Sequence, residues 1–147
     1  MKKKIPDIIC ALLIVLFVYA AGSKLFNYNQ FIMQLGHSPL IGSHAGILAW
    51  LIPTIEGVVV ILLTVYSTRF YGLLLALFLL IVFTAYIAGM LLSRTHLPCS
   101  CGGVISQLTW KGHLVFNFFF IVASITGLVL EKKQQRATVS LDKPVTG

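Results

Sequence analysis

Three short patterns in the chain are able to do chemistry. The first is His96-Leu97-Pro98-Cys99-Ser100-Cys101-Gly102-Gly103. Two cysteines one residue apart can cycle between dithiol and disulfide. The ring they close is small, and departure from relaxed geometry makes such a bond easier to reduce. Pro98 stiffens the approach, and Gly102 and Gly103 permit unusual backbone angles. Consecutive N–H groups there can form an anion-stabilising nest. A nest, or a protonated His96, favours thiolate, the reactive form. Two other readings stand beside redox cycling. One is a static staple, although so short a loop removes little chain entropy. The other is metal binding by Cys99, Cys101, His96 and His113. Zinc-binding pairs are usually separated by two to four residues, unlike this one; two thiolates suit copper(I) better, and no metal ligand set is assigned.

The second pattern pairs Glu56, in Pro53-Thr54-Ile55-Glu56-Gly57, with Lys24, in Gly22-Ser23-Lys24-Leu25-Phe26. Both lie in apolar surroundings. The long stem of Lys24 can reach along its helix to a partner. The pair either locks two helices together or handles protons. The third pattern is Leu108-Thr109-Trp110-Lys111-Gly112-His113-Leu114-Val115-Phe116-Asn117. His113 and Asn117 are four apart and share one helix face, with Trp110 three before His113. Trp is common at membrane boundaries, and buried amides commonly bond across helices. His113 is placed to exchange a proton beside the cysteines. His37 and His44 are read as ordinary loop residues. Cys10 is read as a small buried apolar residue.

The elements that hold these residues follow from the charge distribution. Of the chain's 147 residues, 58% are hydrophobic and only 10% charged, and the mean hydropathy is +0.94. Between Ile8 and Leu130 the only charged residues are Lys24, Glu56, Arg69, Arg94 and Lys111. That excludes a soluble enzyme, a disordered tail and a nucleic-acid binder, despite the net charge of +7. Crossing a bilayer takes about 20 mostly apolar residues. Four stretches qualify: about 8–26, 45–66, 70–92 and 113–130. The expected fold is an all-α four-transmembrane-helix bundle covering 1–131, with 132–147 as a short, frayed cytoplasmic tail. Lys24 and Glu56 are then the only candidates for a charge pair inside the bundle. The spans show no period-two alternation, so a β-barrel is excluded.

Both termini are expected in the cytoplasm. That places Lys2, Lys3, Lys4, Arg69, Lys132, Lys133, Arg136 and Lys143 inside, and Lys24, Arg94 and Lys111 outside. The C-x-C loop then lies on the outer, oxidising side, where disulfides persist. Cys10 is roughly 20 Å or more from that face, too far to pair with either loop cysteine. Lys2–Lys4, the apolar run and Ala20-Ala21-Gly22 imitate a cleavable signal peptide, but the run is long for one and is read as a span.

Taken in order, these motifs resemble one family. Gly22-Ser23-Lys24-Leu25 followed by Phe31 looks like the start of DoxX/MauE-type membrane proteins, and Pro53-Thr54-Ile55-Glu56 resembles their acidic motif. Pro98-Cys99-Ser100-Cys101-Gly102-Gly103, then Leu108-Thr109-Trp110 and Asn117, resembles the MauE branch, with Gly102 where that branch usually has a bulky residue. The resemblance implies a four-helix membrane bundle associated with redox chemistry. In methylamine utilisation, MauE serves the making of a disulfide-rich dehydrogenase subunit beside a thioredoxin-like partner.

The expected function is therefore extracytoplasmic thiol–disulfide exchange in a bacterial inner membrane. Cys99 and Cys101 react with a thioredoxin-like or cysteine-containing protein, and His96 or His113 moves the proton. Lys24, Glu56, Asn117 and Trp110 form the intramembrane polar set. The sequence demands no cofactor. Quinone is the candidate one, in an apolar slot to which Phe116, Phe118, Phe119 and Phe120 contribute, although these also read as packing or lipid-facing residues. The competing reading is a non-catalytic subunit or chaperone in a larger membrane complex, with the C-x-C as a staple. A transporter fits less well, because the spans hold too few polar groups to line a path.

Overall fold

A chain inside hydrocarbon must satisfy its own backbone hydrogen bonds, and the apolar runs do so as helices. The computed structural model describes residues 4–38, 41–92 and 110–141. Helix α1 is Lys4–Phe26, α2 is Tyr28–Gly36, α3 is Ala45–Thr64, α4 is Arg69–Leu92 and α5 is Trp110–Leu141. No strand occurs among the described residues. Four of the helices are long and apolar enough to cross a membrane. Residues 93–109, which include His96, Cys99 and Cys101, lie outside the described residues.

The four long helices form a ring. α1 packs mainly on α3, α3 on α4, α4 on α5, and α5 returns to α1. One end of the ring is filled by an apolar core that includes Leu13, Phe17, Val59, Leu63, Leu73 and Phe120. The short link between α3 and α4 lies at this end. There Thr68 Oγ1 donates to Leu62 O at 3.0 Å. Gly72 makes the close approach possible, since a Cβ on it would sit 2.9 Å from Leu63 N.

Two features depart from the sequence expectation. The link between the first two spans contains a helix. Asn27 N donates to Ser23 O and Phe31 N to Asn27 O, so α2 continues α1 across a break at Asn27. Tyr28, Phe31, Ile32 and Leu35 recur at helical spacing. Phe31 and Leu35 are buried in a small cluster with Ala45 and Ala49 of α3. The chain then turns back tightly: a Cβ on Gly42 would lie 2.6 Å from Gly36 O. The fourth long helix also does not stop near Leu130. It runs on to Leu141, because 131–141 contain no Gly or Pro and are mostly residues a helix tolerates. The first part of the expected frayed tail is therefore helical.

Candidate functional site

Toward the end of the ring opposite the apolar core, the packing leaves a cavity of about 160 Å³. All four long helices line it. Phe17 and Ala20 come from α1, Ile52 from α3, Leu79 and Phe83 from α4, and Phe116 from α5. Into these apolar walls project four polar side chains: Lys24, Glu56, His113 and Asn117. Each is at most 7% exposed. Distant segments of sequence thus converge on one point within the bundle.

Lys24 and Glu56 form a buried ion pair. Lys24 Nζ donates to Glu56 Oε1 at 2.6 Å. It also donates to Ala20 O at 3.3 Å, one turn back along its own helix. The ammonium lies 5.5 Å from the Phe83 ring centroid and 6.0 Å from that of Phe31, so aromatic faces on α4 and α2 contribute to holding the charge. Register explains the meeting. α1 and α3 run antiparallel, and the same alignment that brings Phe31 beside Ala49 sets Lys24 beside Glu56. Pro53 precedes Glu56 by three residues and cannot donate to the carbonyl one turn earlier. Close to that gap, Thr54 Oγ1 donates to Trp50 O at 2.7 Å.

The other polar groups are less fully paired. Glu56 Oε2, His113 Nδ1 and Asn117 Nδ2 are buried and have no hydrogen-bond partner among the described residues. His113 and Asn117 are successive turns of one face of α5, and Phe116 separates them along the cavity wall. The phenylalanine run divides by function. Phe116 lines the cavity and Phe120 is 8% exposed in the core, whereas Phe118 and Phe119 are 66% and 60% exposed on the outer surface. α5 begins at Trp110. Cys99, Cys101 and His96 belong to the undescribed connection that joins α4 to this start.

A second charged group sits at the opposite end. Arg69 Nη1 donates to Asp7 Oδ1 at 2.5 Å, in a partly solvated pair at the end of the bundle. Glu131 is 1% exposed, and its Oε2 has no partner among the described residues. Cys10 is 2% exposed. In sequence, Asp7 and Glu131 lie just outside the uncharged stretches of the first and last spans. The helical run past Leu130 is the signal that could have placed Glu131 on a packed face. Cys10 is buried in the apolar core beside Leu13.

Among known proteins, the family model described as methylamine utilisation protein MauE matches residues 2–130. No curated protein and no solved structure matches the chain.

Proposed function

Because the chain belongs to the MauE family, a family described by methylamine utilisation, we propose that it supports extracytoplasmic thiol–disulfide exchange through Cys99 and Cys101. It is a multi-pass membrane protein whose helices contact lipid. In this reading it lies in a bacterial inner membrane with the C-x-C loop on the periplasmic side. Its partner is a thioredoxin-like or otherwise cysteine-containing protein. A thiolate of one protein attacks a disulfide of the other, a mixed disulfide forms, and the second cysteine resolves it. His96 and His113 take up and return the protons.

The observation that carries the reading is the position of the two helices that flank residues 93–109 in the chain. α4 and α5 contribute Phe83 and His113 to the buried polar cavity. His113 Nδ1 is buried without a partner among the described residues, only three residues into α5. An imidazole so placed suits proton exchange with groups in residues 93–109.

Thiol trapping tests the proposal. Whole cells expressing the protein are quenched with acid and alkylated. The Cys99/Cys101 pair is expected in both reduced and oxidised forms. One of the single variants Cys99→Ser and Cys101→Ser is expected to trap a mixed disulfide with an extracytoplasmic protein, and the double variant to trap none. A double variant that supports methylamine utilisation as well as the wild type would overturn the reading in favour of a structural C-x-C.

A further inference from the structure

The cavity holds more polar capacity than its ion pair uses. His113 Nδ1, Asn117 Nδ2 and Glu56 Oε2 are buried beside it without hydrogen-bond partners among the described residues. Buried polar groups are costly when left unpaired, and a few unpaired groups converging on one apolar pocket mark a ligand site. A ligand that arrives through lipid must itself be largely apolar. Cavities of roughly 150 Å³ accept a benzene-sized ring, and this one measures about 160 Å³. Phe17, Phe83 and Phe116 supply aromatic walls.

The kinds of unpaired group narrow the choice further. The Asn117 amide donates, whereas an ionised Glu56 Oε2 only accepts. A carbonyl oxygen satisfies the first and a hydroxyl satisfies the second. A ring whose substituent alternates between carbonyl and hydroxyl suits both.

We propose that the cavity binds a membrane-soluble quinone, its ring among the three phenylalanines and its oxygen served by Asn117, His113 and Glu56. The binding assignment rests on the cavity alone. The direction of electron flow rests on the thiol-exchange reading above. Oxidation of the Cys99–Cys101 dithiol forms one S–S bond and releases two electrons and two protons. Reduction of one quinone to its quinol takes up those two electrons and places one proton on each ring oxygen, so the couple balances.

The test uses the full chain in lipid nanodiscs, titrated calorimetrically with a short-tailed benzoquinone, with empty nanodiscs as the reference for partitioning. Saturable binding is expected, absent for the corresponding alkylbenzene that lacks ring oxygens. Asn117→Leu keeps the branched outline of the side chain, removes the donor and is expected to weaken binding about tenfold. Ala20→Leu fills the cavity and is expected to abolish binding. Retained helical circular dichroism checks both variants. Heats equal to those of empty nanodiscs, equal binding of the alkylbenzene, or unchanged affinity in Asn117→Leu would overturn the assignment. The two readings fail separately. Quinone binding in a protein whose Cys99/Cys101 pair traps no mixed disulfide removes the thiol reading and leaves the cavity assignment. Dithiol cycling without saturable quinone binding removes the cavity assignment alone.

Discussion

Lys24 Nζ lies 2.6 Å from Glu56 Oε1, and the two side chains are 4% and 8% exposed. A charge pair so withdrawn from solvent fixes the register of α1 against α3, because sliding either helix by one turn strands both charges in an apolar interior. Removing one partner of a buried pair typically costs about 3–5 kcal/mol, since the survivor is left uncompensated. Lys24→Met and Glu56→Gln should each lower stability by an amount of that order. The double variant should lose clearly less than the sum of the two. Denaturant unfolding of the purified protein, followed as a double-mutant cycle, measures the coupling.

The charge pair at the other end should behave differently. Asp7 and Arg69 have side chains 57% and 19% exposed. Partly solvated pairs contribute about 0–1 kcal/mol. Asp7→Asn should therefore shift unfolding by no more than about 1 kcal/mol, and raising the salt concentration should shrink even that difference.

The phenylalanines of α5 offer a test of which face points inward. Phe120 is buried in the core, while Phe118 and Phe119 face outward. Phe120→Ala should cost about 3–5 kcal/mol, the usual range for truncating a buried aromatic. Phe118→Ala and Phe119→Ala should each cost much less. Thermal unfolding of the three variants in one detergent or lipid gives the ranking, and equal losses would contradict the packing.

Gly72 should tolerate no side chain without adjustment. A Cβ there meets Leu63 N at 2.9 Å, which is backbone and cannot swing aside. Gly72→Ala should destabilise by about 1–3 kcal/mol, the usual cost of overpacking. Gly57, by contrast, sits in mid-helix with nothing within 4 Å of the added atom. Gly57→Ala should leave stability unchanged or raise it by about 0.5–1 kcal/mol through helix propensity. The opposite signs are read from the same unfolding experiment.

Cys10 should be chemically silent in the folded protein. It is 2% exposed in the core of the bundle. In a variant with Cys99→Ser and Cys101→Ser, a maleimide should fail to label the remaining thiol under native conditions and should label it fully in denaturant. Mass spectrometry before and after denaturation reads the result.

Much of this molecule was legible in its sequence because a bilayer is a demanding solvent. Apolar runs of bilayer length have few choices other than helices, so the four spans followed from hydropathy alone. The scarcity of charge made Lys24 and Glu56 conspicuous, and four-residue spacing put His113 and Asn117 on one face. Less legible were α2, whose helical spacing is spread over a stretch with several polar residues, and the packed position of Glu131, which a polar stretch follows. What only the tertiary structure decided is where the faces meet. Hydropathy has no azimuth: it says that a helix crosses, but not which side looks inward. The ring order of α1, α3, α4 and α5 turns Lys24, Glu56, His113 and Asn117 toward one cavity, and turns Phe118 and Phe119 away from it. That convergence depends on contacts between residues far apart in the chain, where close packing selects one arrangement from many that the local pattern allows.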